Sequence, residues 1–121
     1  MLRSVFVLAL GVDLLLLVAF AALGRNSHDD GASAGDVLTT AAPFVIGYTI
    51  SAIATRLDRA PLSISRAAVA WAPGIALGLL LRVSLFGRGI APAFIVVSIV
   101  TTAVLLIGWR LAVPAVSRLR A

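Results

Sequence analysis

Two ionisable residues stand well inside long apolar stretches, and they are where chemistry would be expected first. Asp13 lies one residue from the midpoint of the run Ser4 to Gly24, and Arg82 lies five residues past the centre of Ala67 to Gly87. A charge at the centre of a bilayer costs a few kcal/mol on insertion scales, so each group needs a partner. Side chains on a helix lean toward its N-terminus, which carries the Arg82 stem toward the level of Asp13. Gly74, Gly78 and Arg82 follow at four-residue steps and share one helical stripe. Two glycines four apart let another helix approach closely. The spacing therefore predicts that Asp13 packs on the Gly74/Gly78 stripe and pairs with Arg82. Such a buried charge pair has two uses. It can fix the register of packed helices, or it can form a proton- or ion-sensitive site in a transport path.

The remaining polar residues point to ordinary membrane roles. Arg25, His28, Asp29 and Asp30 form a polar cluster in an outer loop. Three successive loop residues rarely converge on a metal, so a solvated loop or a partner contact is expected there and no metal or other cofactor. His28 could still titrate near neutral pH. Trp109-Arg110 has the look of an interfacial anchor, with the indole at headgroup depth and the guanidinium snorkelling. Pro73 is expected to kink or interrupt the third helix and Pro43 to kink or start the second, with Thr39 and Thr40 placed to satisfy the backbone groups that Pro43 frees. Ser98, Thr101 and Thr102 make a small polar patch suited to joining helices. The chain has no cysteine and no nucleophile–base pair, phosphate-binding glycine loop or zinc spacing, so no enzyme is expected.

These residues must be positioned by elements that the charges themselves delimit. Of 121 residues, 61% are apolar and 12% charged, and the mean hydropathy is +1.12. Soluble domains run nearer half apolar and a quarter charged. The cations are ten arginines that punctuate apolar runs instead of clustering, which excludes a nucleic-acid-binding arm despite the net charge of +5. Each of four intervals between flanking charges, two of them interrupted only by Asp13 or Arg82, matches the ~20 residues that one bilayer crossing requires. Helices, unlike isolated strands, satisfy their own backbone in lipid. The expectation is one all-α domain over residues 1–121, a four-transmembrane-helix bundle with helices at about 4–24, 37–55, 67–87 and 90–112. The first segment reads as a retained helix and not a signal peptide, because its apolar region is about twice the usual length and holds Asp13.

Arg3, Arg56, Arg59, Arg66, Arg110, Arg118 and Arg120 fall on one side of such a bundle, and Arg25 and Arg88 on the other. This bias places both termini in the cytoplasm of a multi-pass plasma-membrane protein. The 57–66 segment then forms a cytoplasmic turn around Pro61, Gly87-Arg88-Gly89 a tight outer hairpin, and the tail after Pro114 a frayed cationic end. A faint internal repeat relates Leu23–Arg25, Ala42–Phe44 and Arg56-Leu57 to Phe86–Arg88, Ala91–Phe94 and Arg110-Leu111.

The run GRNSH at 24–28, APF at 42–44 with Gly47, LLLR at 79–82 and GWR at 108–110 occur in an order that resembles the domain-of-unknown-function family DUF3054, small prokaryotic four-helix membrane proteins. The resemblance covers nearly the whole chain. It implies the four-helix architecture and supplies no activity. Ala42 departs mildly from the aromatic often found there in the family. Two functions follow from the residues. One is a structural or accessory membrane protein that meets the lipid bilayer and either a second copy or another membrane protein, with the Gly74/Gly78 face as its interface. The other is a small oligomeric transporter or channel component with Asp13 as its sensitive site. A hole-forming lysis protein fits the size but not a buried pair.

Overall fold

The computed structural model describes residues 2–26, 34–85, 87 and 92–120. They form four helices: α1 Leu2–Asn26, α2 Ala34–Ala54, α3 Ile64–Ser84 and α4 Pro92–Arg120. A single 3-10 turn at Leu57–Arg59 joins α2 to α3. All four helices are long and apolar enough to cross a membrane. The 21 residues of α2 and of α3 extend about 31 Å at 1.5 Å per residue, close to the ~30 Å of a hydrocarbon core. With 29 residues, α4 is longer than one crossing needs. It runs through Pro114 to Arg120, so the tail expected to fray is helical backbone.

Local chemistry sets the ends. Ser63 caps α3 by accepting a hydrogen bond from the Arg66 amide at 3.3 Å. Pro92 opens α4, where its missing N–H costs nothing. Pro43 and Pro73 lie inside α2 and α3, and both helices continue across them. Thr39 turns its hydroxyl to the Gly35 carbonyl, 2.8 Å away, and so bonds one turn back instead of serving the carbonyl that Pro43 leaves.

The helices pack in a ring in chain order, α1 on α2, α2 on α3, α3 on α4 and α4 on α1. The α2–α3 seam is the closest. A Cβ placed on Gly47 would stand 2.7 Å from the Gly78 nitrogen and 2.8 Å from the Gly74 carbonyl oxygen. Glycine is needed there because backbone meets backbone. α2 packs on the Gly74/Gly78 stripe, through Phe44, Gly47 and Tyr48, where the spacing suggests Asp13 of α1 or an outside partner. Across the ring, Phe20, Phe44 and Phe94 meet with centroids 5.7 to 6.5 Å apart. Between α3 and α4, the Trp71 indole donates to the Thr102 hydroxyl at 2.9 Å, and that hydroxyl donates to the Ser98 carbonyl. The polar patch on α4 thus joins two helices.

The turn between α2 and α3 is tied down at both edges. Arg56 takes a left-handed conformation at φ 59°, which puts a bend directly after α2. Arg66 reaches back from α3, and its Nη1 donates to the Thr55 and Arg56 carbonyls at 3.0 Å each. A cation on the last carbonyls of a helix also complements its dipole.

Candidate functional site: a buried Asp–Arg cluster

The carboxylate of Asp13 is held by four donors from two other helices. Arg110 grips it with both terminal nitrogens, Nη1 to Oδ1 and Nη2 to Oδ2, each at 2.8 Å. The Trp109 indole donates to Oδ1 at 2.8 Å, and the Tyr48 hydroxyl donates to Oδ2 at 2.6 Å. Four donors around one carboxyl are the hydrogen-bond complement of a carboxylate. Two parallel N–H···O bonds from one guanidinium are the strong, geometrically specific form of ion pair. Both charged side chains are 0% exposed.

Arg110 has further work. Its Nε donates to the Pro61 carbonyl in the α2–α3 turn, and its Nη1 also donates to the Leu106 carbonyl one turn back on α4, both at 2.8 Å. The guanidinium lies against the face of Trp109, 4.6 Å from the ring centre. One residue therefore touches α1, α4 and the turn, while Tyr48 brings in α2. No buried side-chain nitrogen or oxygen among the described residues lacks a hydrogen-bond partner. A charged cluster of this kind is tolerable in an apolar interior only on that condition.

The cation opposite Asp13 is thus Arg110 and not Arg82. Arg82 lies over the Phe94 ring at 4.2 Å, a cation–π contact between α3 and α4. The physical reason is one of level. Although Asp13 is central in α1, Tyr48 lies six residues before the end of α2, and Pro61 lies in the turn itself. The cluster therefore sits just inside the α2–α3 turn. On α4 the side chains lean toward the N-terminus, away from the chain end. Arg110 consequently reaches back into the bundle, so the Trp109-Arg110 pair is an internal clamp and not an interfacial anchor.

Tyr48 escaped the sequence reading altogether. A hint was available, because it is the chain's one tyrosine and lies inside an uncharged run. A buried phenol normally finds a partner for its hydroxyl. His28, Asp29 and Asp30 lie outside the described residues, as does the side chain of Arg25. Among the described residues, no three of His, Cys, Asp or Glu gather where an ion could sit. The repeat is not reproduced at the cluster. Arg56 pairs with Asp58 at 3.0 Å on the surface, whereas Arg110, its counterpart, is buried.

An apolar groove of about 620 Å³ runs between α1 and α2, lined by Gly11, Leu14 and Val18 on one wall and Leu38, Ala42 and Val45 on the other. Asp13 does not line it.

Neither the curated proteins nor the solved structures give a match. Residues 10–113 match the family model described as "Protein of unknown function (DUF3054)", and that span contains Asp13, Tyr48, Trp109 and Arg110. By that match across most of its length, the chain belongs to the DUF3054 family.

Proposed function

We propose that this protein is a structural or accessory component of a plasma membrane, without enzymatic activity, whose Asp13–Arg110 cluster locks four helices and the α2–α3 turn into one register. The observation that carries the reading is the closure of the cluster. The ion pair is removed from solvent, no buried side-chain nitrogen or oxygen around it lacks a partner, and the groove nearby is apolar. A transport site needs a carboxylate that can change partners and a polar route to it. Here the Asp13 oxygens are each doubly engaged. The arginine bias supports cytoplasmic N- and C-termini, with the α2–α3 turn on the cytoplasmic side. The bilayer is the first partner, and a second copy or another membrane protein is the natural further one.

The test is proteoliposome flux measured across pH for wild type and Asp13→Asn, alongside thermal unfolding in detergent. The expected result is no pH-dependent flux from either protein and a clearly lower melting temperature for the variant. A pH-dependent flux that disappears in Asp13→Asn would replace this reading with the small oligomeric transporter.

A further inference from the structure

We propose that the α2–α3 turn is a lid over the Asp13–Arg110 pair, latched by the Arg110 guanidinium. Its opening would admit water to the pair from that end of the bundle. The proposal deepens the lock reading and rests on it. The lid consists of residues 57–62. Leu57 and Pro61 face inward and are buried, Leu57 completely, while Arg59 and Leu62 between and beyond them are exposed. The latch is one bond, from Arg110 Nε to the Pro61 carbonyl. Because the guanidinium is planar and its other nitrogens are fixed on Asp13, the direction of Nε is set by the ion pair. The position of the Asp13 carboxylate is thereby tied to that of the turn.

The hinge lies outside the latch. Arg56 holds the left-handed bend, and Arg66 fastens the Thr55 and Arg56 carbonyls to α3. Within the lid the backbone bonds are short-range: Arg59 N–H to the Arg56 carbonyl, Ala60 N–H to Leu57, and Ser63 N–H to Ala60. Such bonds break without disturbing α2 or α3. Besides the latch, the segment is held by these local bonds, the exposed Arg56–Asp58 pair and the burial of Leu57 and Pro61. Those are fewer ties than the helices on either side have, which places it in the part of a fold that opens first.

Amide hydrogen exchange on the full chain in detergent tests this directly. Arg110→Lys keeps a cation for Asp13 but loses the rigid fork that reaches Pro61 as well. The Arg59, Ala60 and Ser63 amides should then exchange roughly ten- to a hundredfold faster, as expected for a lost hydrogen bond to a charged group. The Leu85 amide, at the far end of α3, should not change. Unchanged turn amides in a folded variant with lowered melting temperature would overturn the lid and leave the lock standing. Unchanged amides and unchanged melting would overturn both. If the variant does not fold, the unmodified protein decides. Its turn amides and the Trp109 indole N–H, which is bonded to Asp13, should share one opening event under mild denaturant. Separate events would overturn the proposal.

Discussion

The α2–α3 seam and the α1–α4 seam solve the same packing problem with opposite materials. Between α2 and α3 the contact is made by what is missing. Gly47, Gly74 and Gly78 remove side chains so that backbones touch, and a Cβ on Gly47 would stand under 3 Å from two backbone atoms. Between α1 and α4 the contact is made by long polar side chains, with Arg110 and Trp109 reaching across to Asp13. In lipid there is little hydrophobic drive between helices, so van der Waals fit and interhelical hydrogen bonds must do the joining. Glycine packing is cheap and only locally specific. An ion pair is costly unless every bond is made, and in the reading proposed above that cost is what selects one register. On that reading the two seams divide the work of closeness and register between them.

The sharpest way to break this contrast is to remove one charge. Arg110→Ala leaves a carboxylate buried without its cation, and breaking such a pair costs on the order of 3–5 kcal/mol. Arg82→Ala removes a cation that is only half-buried and whose contacts include the Phe94 ring, a cation–π contact worth about 0.5–2 kcal/mol. Thermal unfolding of both variants in one detergent should therefore rank Arg110→Ala well below Arg82→Ala. The reverse order would return Arg82 to the position that sequence spacing suggests for it.

The glycine seam should respond less, and only where backbone is in the way. Gly47→Ala forces two helices apart, and overpacking of that kind costs about 1–3 kcal/mol. Gly11→Ala is the matched control, since nothing lies within 4 Å of a Cβ there. Comparable melting temperatures for the two variants would mean that the α2–α3 approach is looser than its geometry says.

Much of this was legible in the sequence, and the limits have a physical origin. Charge-to-charge intervals gave four helices, because a bilayer punishes charges by depth and so marks span ends. The Gly74/Gly78 stripe announced a close approach, because helical periodicity puts both residues on one face whatever the neighbour. What spacing does not encode is the neighbour itself. Asp13 is central in α1, yet its carboxylate belongs to the turn end of the bundle. Helices of 25, 21, 21 and 29 residues cannot be aligned by their midpoints. Arg110 ends an apolar run and so looks peripheral. Only its lean toward the N-terminus of α4, and its length, bring it inside. Tyr48 contributes one hydroxyl to a long apolar run, a signal too small to register until a carboxylate is known to face it.

The smallest expected effect is a third kind of contact that sits beside the two seams without belonging to either. Arg56 and Asp58 form an ion pair at the surface of the turn, with both bonds at 3.0 Å and substantial exposure on each side. Hydrogen bonding to Arg56 holds the Asp58 carboxyl below its ordinary value of 3.8. A carboxyl depressed by folding contributes stability above its unfolded value, and that contribution is lost as pH falls through the depressed one. Exposed pairs are screened by salt and contribute little. Asp58→Asn should therefore leave melting near neutral pH almost unchanged, and it should flatten only the acid limb below about pH 4. It should do so more visibly at low salt than at high. A large loss at neutral pH would mean that the turn is held chiefly by its surface pair, and the weight given to the Arg110–Pro61 bond would have to move there.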